Sequence, residues 1–316
     1  MRKIRWPKSV VLGNKNPTVA TAVIMSAPDG DMNRVATRRG LKWLNNRDCT
    51  CRLSSLYYGN AGFLAGEPGK VAEDLNEAFR NPEVDWIISG GGGYNSNALL
   101  PYLDYKAIAK AKKPIVGLSN PSVLLNAITV KTGVVTYHGP VLTHNLGDKN
   151  GIDEFTEGHF REMLAGGKKR LVIKAEAGWR WLRGGNVKGR LFGGNLWSIE
   201  HLIGTPYEPD WNNAILFVED CFCELHQVYA ILEHFKDSGV FSKINGLIVG
   251  VPLEVKESEL PYKGSFNDVV MKVVGDFSFP ILANVHLGHT DRKLTLPIGA
   301  MCKMNCRQNR IVFERT

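Results

Sequence analysis

The sequence predicts an α/β protein, with a doubly wound parallel sheet in its N-terminal half and a smaller, mixed, strand-rich C-terminal domain. Three observations predict it. Short apolar, β-branched runs at 19–25, 84–88, 115–116 and 134–137 alternate with helix-patterned stretches at 35–44, 70–79, 105–111 and 121–131. Strands that alternate with helices build parallel sheets through right-handed crossovers. Beyond about residue 185 the pattern shifts to short strands with few helices. A length of 316 residues suits one large or two medium domains, and 44% apolar residues supply a sizeable core. The expected division is 1–165, a connecting loop at 166–184, and 185–316.

The elements follow in order. The run 19–25 ends in Ser26-Ala27-Pro28-Asp29-Gly30, a turn. In the helix at 70–79, Val71, Leu75 and Phe79 share one face. The strand 84–88 runs into Ser89-Gly90-Gly91-Gly92-Gly93-Tyr94, and 95–103 reads as helical. A helix at 153–164 and a strand at 170–173 precede a glycine- and tryptophan-rich stretch, 178–185, that reads as a loop. A helix at 195–203, a strand at 214–219, a helix at 225–236 and a strand at 244–249 come next. Short strands at 280–285, 294–296, 300–304 and 311–313 finish the chain.

Composition narrows the function. The net charge is +8, but Lys and Arg are scattered apart from Arg2-Lys3 and Lys168-Lys169-Arg170. Nucleic-acid binding requires a concentrated basic stripe or a known module, and neither is present. No apolar run approaches the roughly 18 residues of a membrane span, and residues 1–17 lack the apolar core of a signal peptide. A cytoplasmic protein is expected. Six cysteines occur as Cys49/Cys51, Cys221/Cys223 and Cys302/Cys306 with no C-x-x-C, which suits reduced thiols better than zinc ligation.

The chemistry centres on Ser119. The strand at 115–116 stops at Gly117, and a helix starts near Pro121, so Ser119 occupies a sharp strand-to-helix turn. Such a turn exposes a serine oxygen at a helix N-terminus, where negative charge is favoured; the same spacing also fits a plain helix cap. The glycines 90–93 follow a strand, but no Lys-Ser/Thr follows them as in a P-loop, and Asn95 breaks the dinucleotide fingerprint. Closely approaching backbone N–H groups of an oxyanion hole fit better. Glu219 and Asp220 end a strand, and only one of them faces a given side. His286 and His289 flank Leu287-Gly288. With Glu219 they suggest a metal set, although His289 in its loop suits a catalytic base better. His138, before a Gly-Pro turn, reads as structural.

The block Gly92-Gly93-Tyr94-Asn95-Ser96-Asn97-Ala98-Leu99-Leu100-Pro101-Tyr102-Leu103-Asp104-Tyr105 resembles a signature of the serine LD-carboxypeptidase family, which includes the microcin C self-immunity peptidases. The similarity continues through Gly117-Leu118-Ser119, Lys131-Thr132-Gly133, His138-Gly139-Pro140, Gly193-Gly194-Asn195-Leu196, Val218-Glu219-Asp220, Gly288-His289-Thr290 and Leu296-Pro297-Ile298-Gly299-Ala300. The resemblance implies an N-terminal domain like the class I amidotransferases, a homodimer, no metal or other cofactor, and a Ser119-Glu219-His289 triad. It also implies an oxyanion hole from backbone N–H groups near Gly92 or Gly93 and of Asn120. The family usually has Asp after the serine and Thr two further on, where this chain has Asn120 and Ser122. The family often has Arg before its Gly-Gly-Tyr, where this chain has Gly91. Tyr94, Asn95 and Ser96 are expected to face substrate, and the block looks closer to the microcin-immunity branch than to the cell-wall branch. Trp179 and Trp181 suit either stacking on a nucleobase or packing at the domain interface, with Arg180 or Arg183 available to a substrate anion. The expected partner is a small peptide or peptidyl-nucleotide, with murein tetrapeptide as the alternative substrate and a non-catalytic binding protein of the same fold as a further alternative.

Overall fold

A computed structural model describes residues 2–13, 17–23, 34–256 and 261–315. The first half runs β1 (Thr18–Val23), α1 (Arg34–Asn45), β2 (Cys49–Leu53), α2 (Pro68–Arg80), β3 (Trp86–Ser89), a 3-10 helix (Ser96–Tyr102), α3 (Tyr105–Ala111), β4 (Ile115–Gly117), α4 (Ser122–Thr132) and β5 (Thr136–His138). A π-helical turn (Leu142–Leu146) and α5 (Glu154–Ala165) lead to β6 (Arg170–Lys174), β7 (Arg180–Arg183), β8 (Asn186–Asn195), α6 (Leu196–Glu200), β9 (Ile215–Glu219), α7 (Leu225–Asp237), β10 (Gly246–Gly250), α8 (Phe266–Val274), β11 (Ile281–Val285), β12 (Leu296–Ile298), β13 (Met301–Asn305) and β14 (Arg310–Glu314).

Two sheets result. The first has the order β12-β5-β4-β3-β1-β2. Its strands pair in parallel except β12, which returns from near the C-terminus to lie antiparallel on β5. The second has the order β6-β14-β13-β8-β9-β10-β11-β7. Its centre, β8 to β11, is parallel and its flanks are antiparallel. The parallel N-terminal sheet and the mixed second sheet match the sequence expectation. Parallel strands covered on both faces read as near-continuous apolar runs, and β3, β9 and β10 are buried throughout.

The helix α4 joins the sheets. It packs against β4 and β5 on one side and β8 and α6 on the other, so nine of its residues are buried and it has no polar face. Asn126 bolts it to β8: its Nδ2 donates to the Gly193 carbonyl at 2.8 Å, and the Gly193 N–H donates back at 3.3 Å. The Asn195 N–H donates to Ser122 Oγ at 3.2 Å. The helix behind Ser119 is therefore anchored on the second sheet.

Two expectations need correction, and β2, β8 and α8 were not expected. Residues 180–183 are not loop but an edge strand, β7, antiparallel to β11. The strand β8 was not expected at all, because Gly189, Gly193 and Gly194 depress its strand propensity. The helix expected at 195–203 is shorter, Leu196–Glu200. The helix α8, opened by a Ser265/Asp268 capping box, was also not expected. The turn expected at 26–30 lies outside the described residues. Among the described residues, no helix is long and apolar enough to cross a membrane.

Candidate active site

Ser119 follows β4 in a left-handed backbone conformation, φ 68°. A non-glycine residue held there costs about 1–3 kcal/mol, which the surrounding structure must offset. The turn closes through the Ser122 N–H onto the Ser119 carbonyl at 2.8 Å. The glycine loop lies directly against it. A Cβ added to Gly92 would sit 2.9 Å from Ser119 Cβ and 3.0 Å from its Oγ, so only glycine lets this backbone approach the serine so closely. Gly93 continues the loop at φ 119°, and Tyr94 and Asn95 are exposed. Ser96 is fully buried, and its N–H donates to Asn120 Oδ1 at 2.7 Å. Ser96 therefore serves as an anchor for Asn120 and not as a surface that touches substrate.

Glu219 ends β9 with its side chain fully buried. Its Oε2 lies 2.7 Å from His289 Nδ1. Burial alone would raise the Glu219 pKa, but the positive charge and hydrogen bond of His289 outweigh it, and the carboxyl is held below its ordinary value. The reciprocal holds for His289. Burial disfavours its charged form, Glu219 favours it, and the balance is a raised pKa. With Nδ1 engaged by the carboxylate, Nε2 is left for proton exchange. The preceding Gly288 has φ 89°, and a Cβ there would run into the Glu219 carboxylate.

His138 completes the buried cluster. It pairs with Gly117 of β4 and packs edge-on against Phe217, with ring centroids 5.2 Å apart. Its Nε2 lies 3.9 Å from Glu219 Oε1, and neither atom has a hydrogen-bond partner among the described groups. Burial lowers its pKa to about 4, so it is neutral near pH 7. The first sheet thus brings His138, paired with the strand that leads into Ser119, up to Glu219 of the second sheet. Lys293 is also buried, and desolvation brings it down to about 8 against the opposing pull of Glu219. Asp220 points away from the His289 pair. It accepts from Asn195 Nδ2 at 3.0 Å and from the Cys221 N–H at 2.8 Å. Burial, then the Glu219 charge, raises it to about 6.

The metal alternative finds no support in the ligand geometry. His289 Nδ1 is committed to Glu219, and His286 Nδ1 accepts from Trp179 Nε1 at 3.1 Å. Among the described residues, no three His, Cys, Asp or Glu side chains converge as a metal set. Trp179 is half-buried, fixed by His286 three residues before His289. Trp181 instead donates to Asn309 Oδ1 at 2.9 Å. Arg183 is a correction: its guanidinium caps α8 and its flank through the carbonyls of Gly275, Phe279 and Val274, and is not free for a substrate anion. Sequence reasoning did not single out Asn195, Ser198 or Lys293. Asn195, and Ser198 after it, are placed by the β8–β9 register, which pairs Asn195 with Glu219, while Lys293 is held through its N–H by Thr156 Oγ1 of α5 at 2.8 Å; no local signal carries either.

Comparison with known proteins follows the same lines. Residues 21–139 match the LD-carboxypeptidase N-terminal domain and residues 188–304 the LD-carboxypeptidase C-terminal domain. The murein tetrapeptide carboxypeptidase of Pseudomonas aeruginosa is 33% identical over 75% of this chain and 78% of its own length. The microcin C7 self-immunity protein MccF of Escherichia coli is 28% identical over 83% of each chain. A structure of MccF in complex with glutamyl sulfamoyl guanosine superposes with a TM-score of 0.89 at 25% identity, covering 98% of both chains. With both halves matched in order and a relative above 30% identity across three quarters of the chain, this protein belongs to the LD-carboxypeptidase family and is a peptidase of the hydrolase class.

Proposed function

We propose that the chain cleaves an amide or peptide bond through Ser119, His289 and Glu219, and that its substrate is a microcin-like peptidyl- or aminoacyl-nucleotide. The observation that carries the reading is the buried 2.7 Å His289–Glu219 pair, which lies 3.9 Å from His138 on the strand paired with the one that leads into the strained Ser119 turn. Ser119 Oγ attacks the substrate carbonyl while His289 Nε2 takes its proton. Glu219 holds the imidazolium that forms. The carbonyl oxygen becomes an oxyanion, received by backbone N–H groups of Gly92 or Gly93 and of Asn120. The intermediate collapses, the C–N bond breaks, and His289 returns its proton to the departing amine. A water then attacks the acyl-serine with His289 as base, releasing the acid and restoring Ser119. The reading includes no cofactor, and describes a cytoplasmic homodimer with Glu219 and His289 carried by the C-terminal domain.

Two features favour a nucleotide-bearing substrate. The carboxylate at the end of a murein peptide is best gripped by a bidentate arginine. Arg183 and Arg190 are committed to backbone carbonyls, and Arg292 to Glu176 at 2.7 Å, which leaves the exposed Arg180 of β7 as the one of the two expected arginines still available to an anion. Trp179, pinned at its Nε1 beside the His289 loop, is a rigid aromatic surface of the kind that stacks a base. MccF has been crystallised with an aminoacyl-sulfamoyl nucleotide. The second reading, cleavage of murein tetrapeptide, is favoured by the Pseudomonas relative. Mass spectrometry of purified protein incubated separately with a peptidyl-nucleotide and a murein tetrapeptide tests the choice. Faster cleavage of the nucleotide substrate is expected, and faster cleavage of the tetrapeptide overturns the preference.

A further inference from the structure

A directed chain of hydrogen bonds links the residue after the nucleophile to the residue after the acid. Asn120 Oδ1 accepts from the Ser96 N–H at 2.7 Å, which fixes the amide's orientation and turns its Nδ2 to Ser198 Oγ at 3.4 Å. Asn195 Oδ1 accepts from the Ser198 N–H at 3.1 Å, which fixes the second amide in the same way. The Ser198 hydroxyl must then donate to Asn195 Oδ1, at 2.7 Å, because an amide oxygen only accepts. Asn195 Nδ2 donates to Asp220 Oδ1 at 3.0 Å. Asn120, Ser198, Asn195 and Asp220 are each at most 5% exposed, so water does not substitute for a missing link. Two backbone donors and one carboxylate thus dictate the direction of every bond.

We infer that this relay is the device that positions the oxyanion donors against the acid strand, and that its direction requires an amide at position 120. Asn120 holds the glycine-loop side through Ser96 and, through Ser198, the helix α6 that follows β8 of the second sheet. It does so on both flanks of the nucleophile turn. A carboxylate at 120 still accepts from the Ser96 N–H but presents a second acceptor to Ser198 Oγ, whose proton is already given to Asn195. Ser198 must then abandon Asn195, or the 120–198 link is lost. Either way one buried link breaks. Asn120, Ser198 and Asn195 are thus positioning residues, while the Asn120 backbone N–H contacts the reacting oxygen.

The inference rests on the serine-triad reading, so its test carries a control for that reading. The kcat and KM of N120D, N120A, S198A and S119A are measured on whichever substrate the parent protein turns over, with the melting temperature of each. N120D and N120A are expected to lose kcat alike, by roughly 30- to 100-fold, and S198A about 10-fold, with KM within about threefold of the parent. A role confined to structure lowers the melting temperature without separating kcat from KM. S119A that keeps turnover overturns the triad reading itself. S119A inactive with N120D and S198A within twofold of the parent kcat overturns the relay alone. Should N120D fail to fold, S198A decides on the same criterion.

Discussion

His289 Nδ1 and Glu219 Oε2 lie 2.7 Å apart with only the hydrogen of Gly288 between the histidine loop and the carboxylate. The closeness of the pair depends on that absent side chain. Gly288→Ala places a methyl group against the Glu219 carboxylate and strains a backbone at φ 89°. Loss of kcat by about 100-fold is expected from sub-ångström displacement of the base, with destabilisation of about 1–3 kcal/mol from the backbone. Steady-state kinetics and chemical denaturation of the variant check both.

The same pair sets a pH dependence. On the proposed triad His289 must be neutral to accept the Ser119 proton, and against the effect of burial Glu219 raises its pKa above the ordinary 6.5. Activity is therefore lost as pH falls through that raised value, and kcat/KM on its acid side should show an apparent pKa above 6.5. In Glu219→Gln the attraction is gone while burial still disfavours the imidazolium. The acid limb should move to lower pH even as kcat falls. A pH–rate profile of both proteins measures this, and an unmoved limb in the variant shows that another group titrates.

The two tryptophans should separate. Trp179→Ala removes the aromatic surface beside the His289 loop and should raise KM for a nucleotide-bearing substrate by the equivalent of about 1–3 kcal/mol, while sparing a small peptide. Trp181→Ala breaks the bond to Asn309. It should lower stability and affect both substrates equally. Equal effects of Trp179→Ala on the two substrates show that it is structural.

Much of this organisation is legible in the sequence, and the gaps have physical reasons. Ser119 between a β-branched run and a proline-opened helix, and Glu219 after Ile215-Leu216-Phe217-Val218, are local patterns that folding preserves. The strand β8 is hidden because its glycines serve tight approach to β9 and α4: a Cβ on Gly193 would meet the Phe217 carbonyl, and one on Gly194 would meet Ser122. Residues 180–183 become a strand only by pairing with β11, about 100 residues further on, and propensity carries no such information. The carboxylates Glu219 and Asp220 are adjacent, yet one meets His289 and the other Asn195. Alternation along a strand predicts that they diverge, but which one serves depends on the partners each face meets.

The central claim is that Ser119 forms an acyl-enzyme with His289 as its base. The most direct measurement is intact-protein mass spectrometry after exposure to an active-site-directed fluorophosphonate, followed by peptide mapping, on the parent protein and on Ser119→Ala, with turnover of the confirmed substrate measured in parallel. The account predicts a single adduct on Ser119 in the parent and none in the variant, with kcat reduced by at least about 1,000-fold in the variant. Near-normal turnover by Ser119→Ala, or an adduct on another residue with Ser119 unlabelled, would contradict it.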